Sequence, residues 1–389
     1  MEIGLCCVLK NDFMKAAILG VGRMGTAICH GMHKLGFYVV GADSNESAAQ
    51  DFRKHITSGS DGAFYLTDEN NADKMMETVL MHEKPDVVIS SLPYHQTEIM
   101  GYWCIDNGLR YCDLGGRVDV SKNINNYAER KATKPVFTDL GLAPGWVNIL
   151  AEQGCKEIHH KIDSVEMMVG GLPAIPSNPP LNYLVTWSVD GLINEYRDDC
   201  LVLENGEIKK ARGMEGLGKV QFKFLEDEEL EVFYTSGGAS HTIETMKARG
   251  VKNCSYKTIR YKGHRDVVKF LIRDSRLDDD CLLQIFKNGC ETHDPFMSGD
   301  IVLIKAIVKA GDITWDKEVI VGYDQKFSAM QKATAFSISS IAALMAEGLL
   351  EGNKDEHRDY HTQYSKSLAY NDVPFDKFEE NLKKLGIVF

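Results

Sequence analysis

The chain has 389 residues and a mass of 43.5 kDa, more than one hydrophobic core usually organises, so we expect two domains. Its formal net charge of −12 repels a phosphate backbone, which argues against nucleic acid as a partner. Hydrophobic residues make up 44% of the chain, but no apolar run approaches the roughly 20 residues that cross a bilayer. We therefore expect no membrane segment.

Ten cysteines are scattered along the chain without a CxxC pair or a disulfide-like spacing. This usage is typical of reduced thiols in a cytoplasm, where we place the protein. Because no zinc-type ligand spacing occurs, we predict no metal site. Residues 1–13 lack a basic n-region and an A-x-A cleavage site, so we interpret them as a leader extension rather than a signal peptide.

A strand, a glycine turn and a helix follow one another near the start of the chain. The apolar run KAAIL (15–19) precedes GVGRMG and then TAICHGMHKLG, in which apolar residues recur at helical spacing. Here Gly20 permits a tight turn, Gly22 lets the backbone approach a pyrophosphate, and Gly25 lets the helix close on the strand. The predicted dinucleotide-binding residues of this turn are Gly20, Gly22, Arg23, Met24 and Gly25.

The second predicted strand, YVVGA (38–42), ends next to Asp43, close to where a ribose-binding acid belongs in such a fold. An acid there can bond the ribose hydroxyls and repels a 2′-phosphate, and no arginine follows until Arg53. The sequence therefore favours NAD over NADP. Asp43 is also interpretable as the N-cap of the next helix together with Ser44.

Further strands alternate with helices up to about residue 145. The strands are predicted at AFYLTD, DVVISSLP, RYCDLGG and KPVFTDLGL, and the helices at 51–54, 72–82, 98–107 and 121–130. The pattern predicts a Rossmann-type, doubly wound parallel sheet at 14–145. Ligands bind beyond the carboxyl ends of such strands, which places 90–95, 113–116 and 139–145 at the cleft. The cofactor-binding candidates in these stretches are Ser91, Leu92, Pro93, His95, Leu114 and Gly115.

From about residue 146 the strict alternation ends. Strands of an antiparallel or mixed sheet are predicted at SVEMMVGGLP, QFKFL, LEVFYTS, CSYKTIRYKG and IVLIKAIVKAG, and helices at SHTIETMKARG and RDVVKFLIRD. We therefore predict an α+β domain at 146–322. A C-terminal segment at 323–389 follows, whose long helix within 324–350 carries an apolar stripe and is predicted to pack against the first domain.

Several motifs of the second half resemble the saccharopine dehydrogenase/reductase superfamily, and most of all its lysine 6-dehydrogenase branch. These motifs are TDLGLAPGWVNILAEQG, VGGLP, PPLNYLVTWSVDGLINEY, EVFYTSGGASHTIETM, TIRYKGH and DVPFDKFEENLKKLGI. Lys262 departs from the family pattern, since it stands where a proline is expected. The resemblance implies NAD-linked oxidative deamination of L-lysine at the ε-carbon to allysine, which cyclises to a piperideine carboxylate. It also implies that 146–322 holds the substrate pocket and the interface of a homodimer or homotetramer.

This chemistry sets requirements for the site. Hydride leaves the carbon only when its amine is neutral, whereas a lysine ammonium has a pKa of about 10.4, so a base or a desolvating pocket is needed. Arg260 is the candidate clamp for the α-carboxylate, because a guanidinium offers two parallel hydrogen bonds. The proton-transfer and catalytic candidates are His264, Tyr261, His241 and Asp113, with His264 preferred because it shares a loop with Arg260.

The remaining substrate-binding candidates are acids for the ammonium groups and small residues near a helix start. They are Asp139, Glu195, Glu244, Thr235 and Gly145. In TSGGASHTIETM a helix predicted to start near Ser240 presents amides that can receive the carboxylate, although a plain turn capped by Ser240 fits equally well. Two other functions stay open: NAD(P)H-dependent imine reduction of the saccharopine reductase or carboxynorspermidine dehydrogenase type, and non-catalytic sensing of NAD(H).

Overall fold

The computed structural model describes residues 13–176, 179–225, 228–290, 299–351 and 366–388. Apart from Phe13, the predicted leader lies outside the described residues. The first sheet has six parallel strands in the order β3-β2-β1-β4-β5-β6. Its strands are β1 (Lys15–Leu19), β2 (Tyr38–Asp43), β3 (Gly62–Leu66), β4 (Val87–Ser90), β5 (Tyr111–Asp113) and β6 (Val136–Phe137). Its helices are α1 (Arg23–Lys34), α2 (Glu46–His55), α3 (Ala72–Glu83), α4 (Tyr94–Asp106) and α5 (Val118–Lys131).

The first sheet is covered by helices on both faces, as the near-continuous apolar strands predict. Along β1, Ala16 and Ile18 belong to one core, whereas Ala17 and Leu19 belong to another on the opposite face. The predicted doubly wound sheet is therefore confirmed. The helix predicted at 51–54 is wrong in extent, since α2 begins at Glu46.

The second sheet is mixed, because β12 pairs with β7 in parallel and its other pairs are antiparallel. The strand order is β10-β11-β12-β7-β13-β14, with β8 pairing to β12 and β9. The strands are β7 (Ser164–Pro173), β8 (Asp199–Glu204), β9 (Glu207–Arg212), β10 (Gly218–Val220), β11 (Leu230–Tyr234), β12 (Asn253–Tyr261), β13 (Asp300–Ala310) and β14 (Ile313–Gly322). The helices around it are α6 (Trp146–Glu157), α7 (Val189–Arg197), α8 (Thr242–Ala248), α9 (His264–Lys269) and α10 (Asp279–Cys290).

The strand predicted at QFKFL (221–225) is wrong. The Leu225 amide donates to the Phe222 carbonyl at 3.0 Å, so the backbone turns there. Phe222 is buried while Phe224 is 84% exposed. The alternation of polar and aromatic residues imitates a strand, but one aromatic side chain anchors a turn and the other faces solvent.

The C-terminal segment ties the two sheets together. Helix α11 (Ala329–Ala346) packs against α1, and a Cβ on Gly31 of α1 would lie 2.6 Å from the hydroxyl of Ser339. Small residues thus let the two helices approach closely. Helix α12 (Phe375–Lys384) packs on α11, and Ser367 forms a parallel bridge with Val136 at the edge of the first sheet. The predicted return of the C-terminal helices to the first domain is confirmed.

The N-terminus of α11 is held by a buried acid from the second sheet. Asp300 accepts hydrogen bonds from the Ala329 and Met330 amides at 2.7 and 2.9 Å. A carboxylate at a helix start is favourable because it satisfies orphan amides and the helix dipole. The main core continues from the first sheet through α11 to the second sheet. Within the described ranges, no helix is long and apolar enough to cross a membrane.

Candidate active site

The turn between β1 and α1 has the shape that a dinucleotide needs. Gly20 has φ +83°, and a Cβ there would lie 2.8 Å from the Ser91 carbonyl oxygen. A Cβ on Gly25 would overlap the Gly20 carbonyl oxygen, so both positions are closed to side chains. Beside Gly22, in contrast, a Cβ would meet no described atom within 4 Å. The turn therefore leaves an open approach to the N-terminus of α1, which fits a pyrophosphate.

Asp43 lies at the edge of this turn. Its Oδ2 accepts from the Val21 amide at 2.6 Å and its Oδ1 accepts from the Asn45 amide at 2.7 Å. The N-cap of α2 is Asn45, whose side chain accepts from the Ser47 amide, so the interpretation of Asp43 as that cap is wrong. The carboxylate instead fixes the glycine turn and stays near the predicted ribose position.

The remaining cofactor candidates surround the turn. Ser91 and Leu92 pack against Gly20, and the Leu114 amide donates to the Ser90 carbonyl at 3.3 Å. Met24 is half-buried at the start of α1, whereas Pro93 and His95 are exposed at the start of α4. The loops that follow the carboxyl ends of β1, β4 and β5 therefore lie side by side, as the parallel topology requires.

Arg23 joins the glycine turn to the second domain. Its Nη1 donates to the Thr186 carbonyl at 2.9 Å, and its own carbonyl accepts from the Gln331 side chain at 2.9 Å. The first residue of α1 is therefore held from two sides by segments that the sequence places far away. The two bonds connect the glycine turn with the second domain and with α11.

A pair of buried acids lies at the ends of β5 and β6. Oδ1 of Asp113 accepts from the Gly115 amide at 2.9 Å and the Asp139 amide at 3.1 Å. Its Oδ2 is buried and has no hydrogen-bond partner among the described residues. Burial, followed by the nearby charge of Asp139, raises the pKa of Asp113 to about 7. A carboxyl with such a pKa can exchange a proton near neutral pH.

Asp139 is linked to a histidine through a serine. Its Oδ1 accepts from Ser121 and its Oδ2 from Ser240, both at 2.5 Å, and the Ser240 hydroxyl lies 3.1 Å from Nδ1 of His241. Burial raises the pKa of Asp139, although the two hydroxyls oppose the rise. Burial lowers the pKa of His241, while the carboxylate of Asp139 opposes this. The arrangement connects a buried acid with a half-buried base.

Tyr370 completes this group from the C-terminal segment. Its hydroxyl donates to the Asp139 carbonyl at 3.0 Å, and its ring stacks parallel to His241 with centroids 4.7 Å apart. Tyr370 is not among the site residues predicted from the sequence. The tyrosine is nevertheless only 2% exposed.

Arg260 lies on β12 in a buried aromatic and polar pocket of the second domain. Its Nε donates to the Tyr196 hydroxyl at 2.8 Å, and its guanidinium stacks on the Tyr183 ring at 4.7 Å from the centroid. Among the described residues it is the one buried arginine. A desolvated guanidinium without a bonded carboxylate is a strong site for a ligand carboxylate.

Glu195 of α7 lies close enough to Arg260 for their charges to interact. Its carboxylate has no hydrogen-bond partner in the part of the chain that the structure describes. Burial raises its pKa to about 8, and the Arg260 charge opposes the rise. An unpaired acid beside an arginine offers complementary partners for the ammonium and the carboxylate of an α-amino acid.

The structure does not support two of the proton-transfer candidates. Tyr261 follows Arg260 on β12 and therefore points to the opposite face of the sheet, where its hydroxyl donates to the Pro173 carbonyl at 2.9 Å. His264 is fully buried, and both its nitrogens hold internal hydrogen bonds, to Tyr196 and to the Leu181 carbonyl. Burial, followed by the charge of Arg260, lowers the pKa of His264 to about 3. Neither group is free to accept a substrate proton.

Three substrate candidates also have other surroundings than expected. Glu244 is exposed on α8, where its charge acts on His241 rather than beside Arg260. Gly145, at φ +128°, is the N-cap of α6, and its amide donates to the Asn148 side chain at 2.8 Å. The Thr235 hydroxyl is buried at 2.9 Å from that of Thr258. Gly145 and Thr235 therefore shape the loops rather than present groups to a ligand.

The loop at 235–241 joins the two groups of side chains. At one end the Ser236 amide donates to the Glu195 carbonyl at 3.0 Å, and at the other Ser240 bonds Asp139. The helix predicted to start near Ser240 begins at Thr242, with His241 at the N-cap. Ser240 has φ +47° and is no cap. The 235–241 loop thus contacts both the acid pair and the helix that carries Glu195.

A parallel Rossmann sheet joined to a mixed sheet, with an open glycine turn in the first domain and a buried arginine in the second, defines a two-domain dinucleotide-binding protein of the dehydrogenase type. The family model "Saccharopine dehydrogenase NADP binding domain" matches residues 16–136, and "Saccharopine dehydrogenase C-terminal domain" matches residues 141–362. The chain belongs to the saccharopine dehydrogenase family.

Relatives and a solved structure agree with this assignment. The chain is 25% identical over 216 residues to the NADP(+)-dependent, L-glutamate-forming saccharopine dehydrogenase of Schizosaccharomyces pombe, covering 54% of this chain and 47% of that protein. It is 30% identical over 145 residues to the mitochondrial alpha-aminoadipic semialdehyde synthase of Rattus norvegicus, covering 36% of this chain and 15% of that protein. The matches thus span less than half the length of these relatives. Apo saccharopine dehydrogenase (L-Glu forming) of Saccharomyces cerevisiae has the same fold, with a TM-score of 0.70, 16% identity, and 96% and 98% of the two chains covered.

Proposed function

We propose that the protein is a nicotinamide-dependent oxidoreductase of lysine metabolism that oxidises the ε-carbon of L-lysine to the aldehyde. Family membership supports a reaction at a carbon–nitrogen bond of an amino acid. The finer assignment rests on one observation: among the described residues, the pocket contains a single buried arginine with an unpaired acid beside it. This pair matches one α-carboxylate and one α-ammonium.

The number of buried cations in the pocket distinguishes lysine from saccharopine as the substrate. Saccharopine carries three carboxylates, whereas lysine carries one. The other buried cation in the described ranges, Lys305, is bonded to Glu318 at 2.6 Å and lies near Phe222, on the Tyr261 side of the second sheet. A pocket with one free buried guanidinium therefore favours the monocarboxylate. Saccharopine cleavage is the second candidate, because curated relatives at 25–26% identity are saccharopine dehydrogenases by name.

The cofactor site fits a nicotinamide dinucleotide, since the turn leaves open space beside Gly22 and closes behind Gly20 and Gly25. When bound, such a cofactor takes up the hydride that leaves the substrate carbon. The matched N-terminal family model and the saccharopine dehydrogenases among the curated relatives carry NADP in their names. We propose NAD for this chain, because the Asp43 carboxylate lies beside the Val21 amide and would repel a 2′-phosphate.

Residues of the protein itself bind the substrate and accept its proton. Arg260 and Glu195 hold the α-carboxylate and α-ammonium, and the ε-amine extends toward the acid pair at the ends of β5 and β6. Loss of a proton from the ε-ammonium and of a hydride from its carbon leaves an iminium cation, and water then converts the iminium to aldehyde and ammonium. Asp113, with a pKa of about 7, and the pair Asp139 and His241 are the groups able to receive the proton that the ε-ammonium loses.

The decisive experiment mixes purified protein with each cofactor and with L-lysine or saccharopine, and follows absorbance of the reduced cofactor. We expect NAD reduction with lysine and none with saccharopine. Arg260→Lys should raise KM for lysine at least tenfold with NAD binding unchanged, because an ammonium cannot reproduce the fork. Reduction of cofactor by saccharopine alone would replace the first assignment with the second. The homo-oligomer and the cytoplasmic location stay predictions.

A further inference from the structure

Arg260 lies at one end of a chain of hydrogen bonds that crosses the second domain. The chain runs from Nε of Arg260 to the Tyr196 hydroxyl at 2.8 Å, from this hydroxyl to Nε2 of His264 at 3.0 Å, and from Nδ1 of His264 to the Leu181 carbonyl at 2.7 Å. All three side chains are at most 4% exposed. Water therefore does not compete for these bonds.

The Leu181 carbonyl, the final acceptor in this series of hydrogen bonds, determines which atom donates in each of them. The Leu181 carbonyl only accepts, so Nδ1 of His264 carries the proton. The imidazole is neutral in these surroundings, which leaves Nε2 as an acceptor for the Tyr196 hydroxyl. The Tyr196 oxygen then accepts from the guanidinium, which only donates. One tautomer and one hydroxyl rotamer thus satisfy the whole chain.

These contacts leave one edge of the guanidinium for a ligand. Nε is used by Tyr196, and Nη1 donates to the Ile259 carbonyl at 2.8 Å. Tyr183 covers one face of the group. Nη2 has no hydrogen-bond partner among the described residues, and the atom is not completely buried. Nη2 and the second Nη1 proton therefore form the edge at which a carboxylate can be held by two parallel bonds.

We infer that Tyr196 and His264 are positioning residues that orient the Arg260 guanidinium toward the α-carboxylate of the substrate. The inference rests on the proposed function and explains why a fully buried histidine that transfers no proton lies beside the clamp. Without the hydroxyl, the long arginine side chain would regain rotamers, and its Nε would stay buried without an acceptor. Substrate selection by the carboxylate would then weaken, whereas chemistry at the ε-carbon would continue.

The test compares two substrates that differ only by the carboxylate, L-lysine and 1,5-diaminopentane. In Tyr196→Phe we expect KM for lysine to rise roughly tenfold, with kcat within about twofold, and KM for the diamine unchanged. Tyr234→Phe removes a tyrosine hydroxyl on β11 outside the pocket and should leave both values unchanged. An unchanged ratio of the two KM values in folded Tyr196→Phe contradicts the inference.

If the hydrogen bonds from Arg260 through Tyr196 to His264 act as one unit, His264 acts through Tyr196. The effects of the two substitutions on KM should then not be additive. We expect His264→Phe to reduce the preference for lysine several-fold in the natural background and to have no further effect in Tyr196→Phe. Equal effects in both backgrounds contradict the inference. If His264→Phe fails to fold, His264→Asn keeps a donor for the Leu181 carbonyl and is tested in the same way, and the Tyr196→Phe result stands by itself.

Failure of the proposed function gives a different result. If the wild-type protein oxidises neither lysine nor the diamine, the proposed reaction is wrong, but the clamp is still measurable by calorimetry. With NAD present, 6-aminohexanoate should bind at least tenfold more tightly than 1-aminopentane, and Tyr196→Phe should abolish most of this difference. Equal binding of the two compounds by the wild-type protein overturns the inference.

Discussion

The Ser240 hydroxyl lies 2.5 Å from Oδ2 of Asp139, and both residues have a positive φ, 47° for the serine and 62° for the aspartate. Non-glycine residues are rarely held in this region, and such strain concentrates at functional sites. Here two strained residues from different domains form a hydrogen bond with each other, and Ser240 in turn lies next to His241. The contact holds the 235–241 loop against the first domain, where the substrate amine is expected.

Replacing Ser240 separates the hydrogen bond from the strain. Ser240→Ala loses a hydrogen bond to a charged acceptor and keeps the strained backbone, so unfolding free energy should fall by about 2 kcal/mol. Ser240→Gly loses the same bond but relieves the strain, so its loss should be smaller by about 1 kcal/mol. Denaturant unfolding measures both values. Equal losses would mean that the backbone at this position carries no strain.

Stability should depend on the protonation of Asp113. Its pKa rises from 3.8 to about 7 on folding, so between these values the native state binds the additional proton. The carboxyl's contribution to stability therefore falls as pH increases from about 4 to 7, by up to about 4 kcal/mol at 1.36 kcal/mol per unit. Asp113→Asn keeps the Oδ1 acceptor for both amides but cannot ionise, so it should gain stability relative to the wild type as pH rises from 5 to 8. A constant difference across this range would contradict the raised pKa.

Cofactor preference should respond to the charge beside the glycine turn. The double change Asp43→Asn with Ser44→Arg keeps an acceptor near the Val21 amide while it reverses the local charge, so the ratio of Kd values should shift at least tenfold toward NADP. Fluorescence titration with NADH and NADPH measures the ratio. Asp51→Asn, on the exposed side of α2, is the matched control and should leave it unchanged.

Acid should loosen the contact between α1 and the segment that leads into α11. His30 is 8% exposed, its Nδ1 has no partner among the described residues, and its ring lies 5.1 Å from those of His55 and Phe327. Burial, followed by the charge of His55, lowers the pKa of His30 to about 4. The unfolded chain therefore binds a proton first, and stability should fall as pH drops from 6.5 toward 4.

The His30→Phe variant tests the source of this acid sensitivity. A phenyl ring keeps the aromatic contacts but cannot titrate, so the slope of Tm against pH between 6.5 and 4 should flatten. Thermal unfolding at several pH values gives the comparison. An unchanged slope in the variant would assign the acid sensitivity to other groups.

Much of the first domain was predictable from its residues, because the causes are local. A parallel sheet buried on both faces requires continuous apolar strands, and the turn after β1 requires glycine at Gly20 and Gly25, where a Cβ would strike a backbone carbonyl. Arg260 was also accessible to sequence reasoning as a cation in an acidic chain. Successive residues of a strand point to opposite faces of the sheet, so Tyr261 could already be placed away from Arg260 from the sequence.

The roles around Arg260 and Asp139 were decided by contacts between distant segments. His264 bonds Tyr196 and the Leu181 carbonyl, 68 and 83 positions away, and Tyr370 bonds the Asp139 carbonyl 231 positions away. Sequence alone determined which residue types were present and which secondary structure carried them. Only the tertiary structure decided which ionisable groups were desolvated, paired or left free. A pKa and a free N–H edge depend on neighbours in space, and spacing along the chain does not specify those neighbours.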